Sequence, residues 1–134
     1  MSNISSIQSQ VTKILSGKRL SQVHSLSILT DEIDYPGIDQ VFPMYPEQSF
    51  FLDHWIDEKL KQANVLEIGL GSGVLSIAAL RAGANAVTAL EINPRAKIFA
   101  GFNAVLNGAN QGLNILDGNA SDLWAPVRGC KFDY

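Results

Sequence analysis

The stretch Val65-Leu66-Glu67-Ile68-Gly69-Leu70-Gly71-Ser72-Gly73 constrains this chain more than any other. Val65 to Ile68 is a short, mainly apolar run that ends in glycines, so it reads as a buried strand. Val74 to Ala82 reads as an apolar helix with Gly83 as its stop. A strand that enters a helix through glycines offers backbone N–H groups at a helix N-terminus, with no side chain in the way. Taken alone, such a turn is also compatible with a tight connection that binds nothing.

The pattern continues. Ala86 to Glu91 is a second strand, Asn93 an N-cap and Pro94 a first helical residue. That helix runs to about Asn107, with Gly108 after it. Leu113 to Leu116 is a third strand ending at Asp117-Gly118, and Lys131-Phe132-Asp133-Tyr134 starts a fourth. Strands alternating with helices imply a parallel sheet with right-handed crossovers. Ligands bind such sheets at the carboxyl ends of the strands. The expected class is therefore α/β.

Upstream the signals are more local. Residues 3–16 carry Ile4, Ile7, Val11, Ile14 and Leu15 at helical spacing. Residues 23–29 alternate and predict one strand. Asp34-Tyr35-Pro36-Gly37 is a turn. Val41 to Pro46 is an extended entry to a helix from about Glu47 to Lys61, striped by Phe51, Leu52, Trp55, Ile56 and Leu60. This divides the chain into a lead-in over 1–45 and an α/β unit over 46–134.

Composition excludes some classes. The 134 residues are 46% hydrophobic and 17% charged, with net charge −3, which is no footprint of a protein built to hold nucleic-acid backbone. No run approaches the roughly 20 apolar residues of a membrane span. The polar N-terminus lacks a secretory layout. Cys130 is the single cysteine, so no internal disulfide forms, and a cytoplasmic protein is expected. His24, His54 and Cys130 lie in no motif, so no catalytic residue is named, and no metal site is expected.

The spacing around the glycines narrows the ligand. A dinucleotide fingerprint needs G-x-G-x-x-G. Counted from Gly69 and Gly71, the third glycine falls on Val74, and the chain has Gly73 instead. Glu67 would repel a pyrophosphate. It suits a cationic group, such as the amino end of a methionine moiety beside a sulfonium. Glu91 closes the second strand, where a carboxylate accepts ribose hydroxyls. Ile92 would cover an adenine face, and Asn119 and Ala120 would read the adenine edge.

These residues resemble class I S-adenosylmethionine-dependent methyltransferases. Leu66 to Gly73 is similar to the first motif and Leu90 to Pro94 to the second. Asn103-Ala104-Val105-Leu106-Asn107-Gly108 resembles the Asn-Ala-x-x-Asn-Gly ending of the "small domain" subgroup, which includes glutamine-amide methyltransferases and amino-methylating RNA and DNA enzymes. Val41-Phe42-Pro43 to Pro46-Glu47 resembles their lead-in, with Met44-Tyr45 where many relatives have an arginine. Gly118-Asn119 stands where the family has Gly-Asp.

The resemblance covers about residues 41–134. It implies a Rossmann-like parallel sheet with flanking helices, truncated after three to four strands and preceded by an N-terminal helix and strand. It implies S-adenosylmethionine as cofactor, held by Glu67, Gly69, Gly71, Gly73, Glu91, Ile92, Asn119 and Ala120. It implies methyl transfer to a nitrogen on a protein, RNA or small molecule. The loop that would hold that nitrogen, Asn-Pro-Pro-Tyr or a near variant, is expected beyond Tyr134, so the chain alone is expected to be inactive. A fourth strand cut short would expose the Val65–Ile68 edge to self-association. Two alternatives stand beside this reading: a non-catalytic cofactor-binding module and a nicotinamide-dependent oxidoreductase.

Overall fold

The computed structural model describes residue 9 and residues 16–54, 58–118, 121–122 and 124–134. The helix expected over 3–16 therefore lies outside the described residues, except for Ser16 and for Ser9, which is helical.

The first described elements are β1 (Lys18–Val23) and β2 (Leu26–Asp31), an antiparallel hairpin paired from Lys18 with Asp31 to Val23 with Leu26. This corrects the single strand expected over 23–29. The alternation runs straight through a two-residue turn at His24-Ser25. His24 makes that turn at φ 51°, in the left-handed region, which histidine enters more often than most residues with a side chain but far less often than glycine. Helix α1 (Pro46–His54) opens on its proline as expected. Residues 55–57, with Trp55, Ile56 and Asp57, are not described, and Glu58–Leu60 is a 3-10 turn rather than the continued α-helix expected.

Five elements form the α/β unit: β3 (Asn64–Ile68), α2 (Val74–Arg81), β4 (Ala86–Glu91), α3 (Pro94–Leu106) and β5 (Leu113–Asp117). The strands pair in the parallel order β3-β4-β5. Asn93 caps α3 by accepting the Arg95 amide at 2.9 Å. The carboxyl ends of β4 and β5 meet at Glu91 and Asp117, one pair in the register. Among the described residues no helix is long and apolar enough to cross a membrane.

Half of the edge expected to be bare is covered. The Leu66 N–H donates to the Tyr134 carbonyl at 2.9 Å, and the Asp133 N–H to the Asn64 carbonyl at 2.8 Å. The Asp133 carboxylate also accepts the Asn64 N–H at 2.8 Å. Residues 131–134, expected to start a fourth strand, form no strand, but Asp133 and Tyr134 lie along β3 and pair with the backbone of Asn64 and Leu66. What stays open is the Ile68 end, where that side chain is exposed.

Two asparagines join the hairpin to the α/β unit. Asn103 is fully buried on α3. Its Oδ1 accepts the Leu29 N–H at 2.8 Å, while its Nδ2 donates to the Leu29 and Ser72 carbonyls, each at 2.9 Å. One turn later, Asn107 accepts the Ser27 N–H at 2.9 Å and donates back to the Ser27 carbonyl at 2.8 Å. Each amide mimics a peptide group, so the pair completes the free edge of β2 as a neighbouring strand would. Leu26 and Ile28 of β2 then share one apolar cluster with Val74 and Ile77 of α2 and Ala104 of α3. Asp31, at the end of β2, accepts the Arg95 guanidinium at 2.6 and 3.1 Å and the Val41 N–H at 2.9 Å. Burial alone would raise Asp31, but the Arg95 fork and the Val41 amide outweigh it and hold the acid below its ordinary 3.8.

Replacing Asn103 by Ala orphans one buried N–H and two carbonyls. The expected loss is about 3 kcal/mol, since each buried polar group left unpaired costs roughly 1–3 kcal/mol. Urea unfolding measures it, and a loss below about 1 kcal/mol would show that water replaces the amide.

Candidate cofactor site

The site is built at the end of β3. The Gly69 N–H donates to the Leu90 carbonyl at 2.9 Å and carries the β3–β4 ladder into the turn. Gly69, Gly71 and Gly73 have φ of 78°, 54° and 82°, in the region that favours glycine. Their roles then differ. A Cβ on Gly69 or Gly71 would meet no heavy atom within 4 Å. A Cβ on Gly73 would stand 2.9 Å from Ala100 Cβ and 3.2 Å from its Cα. Gly69 and Gly71 keep an open face, whereas Gly73 lets α3 pack against the start of α2. Leu70, between them, is buried with Ala89 and Ala100 and anchors the turn.

Glu91 is buried at the end of β4. Its Oε2 accepts the Gly71 N–H at 2.9 Å and its Oε1 accepts the Asn93 N–H at 2.8 Å. One carboxylate therefore fixes both the middle of the glycine turn and the entry to α3. An ionised carboxylate has about four acceptor positions, so about one on each oxygen is left for a ligand. Ile92 follows and is 62% exposed, a free apolar surface at the strand ends. Lys97 pairs with Asp117 across the same rim. Asn119 and Ala120 lie outside the described residues.

Glu67 faces α2, where its carboxyl accepts Ser76 Oγ and a Ser76 backbone hydrogen bond. Gly73 provides no side-chain cap for that helix, so Glu67 caps it from the neighbouring strand. Burial is the main cause that pushes Glu67 up from 4.5 to about 7; the Ser76 bonds act against it and the Glu91 charge adds to it. Among the described residues no group of three or more His, Cys, Asp or Glu side chains is arranged to hold a metal ion.

Sequence reasoning missed the roles of four residues. Ser76 is a hydroxyl in an otherwise apolar helix run, which is a usable signal. Ser72 acts through its carbonyl and has none. Asn103 and Asn107 stand four apart, on one helix face, a spacing that could have signalled that both meet one neighbouring strand, here β2 at Leu29 and Ser27.

Two outcomes follow. Gly73→Ala should cost about 2–4 kcal/mol, from overpacking of about 1–3 kcal/mol and strain at positive φ. Adding Ala100→Gly should relieve the 2.9 Å contact with the Ala100 Cβ and restore part of the packing loss, the 3.2 Å approach to the Cα remaining; no recovery in the double variant would show that the backbone, not the Ala100 side chain, makes the demand. Glu67 makes stability depend on pH. Below 4.5 it is protonated folded and unfolded, so its contribution is constant there. As pH rises from 4.5 to about 7 only the unfolded chain ionises, and stability falls. Asp31 works in the opposite sense, but only below 3.8. The urea midpoint should therefore drop between pH 5 and 7.5 and stay flat in Glu67→Gln; a flat wild-type profile would mean the carboxyl is solvated.

Comparison with known proteins places this geometry. The family model described as ribosomal protein L11 methyltransferase matches residues 50–127. A ribosomal protein L11 methyltransferase of Haemophilus influenzae is 36% identical over 95 residues, 69% of this chain and 32% of that protein. A Methanocaldococcus jannaschii protein named as an N5-glutamine methyltransferase is 37% identical over 94 residues, 70% of this chain and 44% of that protein. The chain thus spans less than half of the length of either. Among solved structures, a SAM-dependent methyltransferase from Agrobacterium tumefaciens has the same fold, with TM-score 0.68 at 22% identity over 87% of this chain and 38% of that one. An O-methyltransferase from Bacillus cereus in complex with SAH gives TM-score 0.53 at 25% identity over 67% and 41% of the two chains. The matched segment contains the glycine turn, Glu67 and Glu91 and spans more than half of the sequence, so the chain belongs to the ribosomal protein L11 methyltransferase family, within the class I S-adenosylmethionine-dependent methyltransferases.

Proposed function

We propose that this chain binds S-adenosylmethionine and forms the cofactor-holding part of an enzyme that methylates a nitrogen. The observation that carries it is the division of labour in the glycine turn. Gly69 and Gly71 are open, Gly73 is filled by Ala100, and Glu91 holds the turn with acceptor capacity to spare.

The residues fit the parts of the cofactor. Gly69 and Gly71 leave room for the methionyl end, and Glu67 suits its ammonium group. The free positions on the Glu91 oxygens match two ribose hydroxyls. Ile92 would cover the adenine, with Asn119 and Ala120 at its edge. When bound, the cofactor supplies an electrophilic methyl group on a sulfonium; the chain positions it. A nicotinamide dinucleotide is the poorer fit, because Gly73 already serves packing and Glu67 disfavours a diphosphate.

The nitrogen acceptor follows the relatives, whose names specify a ribosomal protein and a glutamine N5. A protein acceptor is the reading they favour, in the cytoplasm.

Calorimetry with S-adenosylhomocysteine and with NAD tests the cofactor. Heat with the former and none with the latter is expected, and the reverse would overturn the proposal. Glu91→Gln should weaken S-adenosylhomocysteine binding by about 1.5–3 kcal/mol, the worth of a hydrogen bond to a charged group. Its melting point, measured alongside, separates loss of the turn from loss of the ligand contact.

A further inference from the structure

Strand β1 has one free side. In an antiparallel pair, successive residues turn their N–H and C=O groups alternately toward and away from the partner strand. On β2, Ser27 and Leu29 give both groups to Asn107 and Asn103, and the Asp31 N–H donates to the Val41 carbonyl at 3.0 Å. These residues therefore turn away from β1. Their register partners Gln22, Leu20 and Lys18 turn away from β2 in the same way. The sheet ends there: it has two strands, and among the described residues no backbone group outside the hairpin pairs with Lys18, Leu20 or Gln22. Leu20, at the middle of this edge, is 54% exposed, while Leu29 opposite it is buried with Val41, Ala96 and Phe99. A bare strand edge with an apolar residue at its centre is a template for another strand.

We propose that a second copy of this chain pairs with that edge, β1 against β1 and antiparallel, about a two-fold axis at Leu20, so that the two hairpins join in one sheet. A two-fold pairing matches residue i with j and j with i. Centred on Leu20, it brings every outward N–H and C=O of one copy to its counterpart in the other. Leu20 then meets the second Leu20, Lys18 meets Gln22, and on the other face Arg19 meets Ser21. The apolar residue lies against its like and each cation against a neutral polar side chain, as favourable cross-strand pairs require. Other registers fit less well. A slip of the axis toward the N-terminus puts Arg19 or Lys18 against its own copy, and like charges directly opposite destabilise. A slip toward the turn sets Leu20 against Gln22 or His24. A register of the wrong parity turns the bare groups away from each other. The edge is thus complementary to itself, which singles out a second copy among the strands that could pair with it.

Sedimentation of the chain from about 1 µM to about 1 mM, the span of weak dissociation constants, should show a monomer–dimer equilibrium. Leu20→Pro removes the outward N–H at the centre of the edge and none that bonds β2, a place where an edge strand tolerates proline. It should raise the dissociation constant about tenfold or more, since a hydrogen bond is lost at Leu20 of each copy. Leu20→Lys leaves the backbone intact and places like charges opposite each other, and should weaken the dimer to a similar extent. The melting point of each variant is measured alongside. In a Cys130→Ser background, which removes the exposed native thiol, Leu20→Cys should oxidise to a disulfide-linked dimer. Directly opposed, hydrogen-bonded residues have Cα atoms about 5.5 Å apart, within disulfide reach. Gln22→Cys should not cross-link, because its own copy lies about 14 Å along the strand. A monomer throughout the range overturns the proposal. So does a dimer that Leu20→Pro and Leu20→Lys both leave intact, which would form at another surface such as the Ile68 end, and so does equal cross-linking at Leu20 and Gln22.

Discussion

The side-chain amide of Asn103 is the contact on which the rest of the structure depends. It is buried on α3 and reaches both the edge of β2 and the Ser72 carbonyl in the glycine turn. A hairpin edge laid against helices would otherwise bury unpaired N–H and C=O groups. Asn103 and Asn107 repair two positions of that edge, and the Asp31–Arg95 pair fixes its far end. Among the described residues no buried side-chain nitrogen or oxygen is left without a partner. The hairpin therefore shares a core with α2 and α3 instead of standing apart from them.

From that anchor the turn inherits its shape. Ser72 is tied to α3 by Asn103, Gly73 is pressed against Ala100, and Gly71 is held by Glu91. Three contacts from two elements fix three successive residues. The turn is thus held by packing and hydrogen bonds from within the chain, which lowers the ordering cost of binding at it. The open faces of Gly69 and Gly71 are what remains once packing has used the rest.

The two acids of the site differ by surroundings, not by chemistry. Glu91 is buried yet receives two backbone amides and a strand-end position. Glu67 is met by one serine in an apolar cavity, with a like charge nearby. Hydrogen bonds to the charged form favour ionisation, whereas desolvation opposes it. The same carboxyl group therefore anchors two backbone amides at Glu91 and is pushed up by burial to about 7 at Glu67.

Local signals sufficed for the α/β unit. The strands at Val65, Ala86 and Leu113, the Asn93-Pro94 helix start and the glycine stops are short-range features, and each element formed where its own residues called for it. Glu67, Gly69, Gly71 and Gly73 could be read together as candidates because a strand end and the turn after it are adjacent in sequence, whereas the Glu91 bond to the Gly71 N–H joins residues of different strand ends. The hairpin was not legible, since its two-residue turn at His24-Ser25 carries no glycine, proline, asparagine or aspartate and puts His24 at φ 51°. Nor was the split among the glycines, because Ala100 lies 27 residues beyond Gly73. The partners of Asn103, 74 and 31 residues away, and the burial that lifts Glu67 are likewise properties of the packed chain. Sequence by itself determined which backbone turn forms and which acids stand beside it. Tertiary structure decided which glycine is open and how far Glu67 is desolvated, because both depend on what long-range packing brings within a few ångströms.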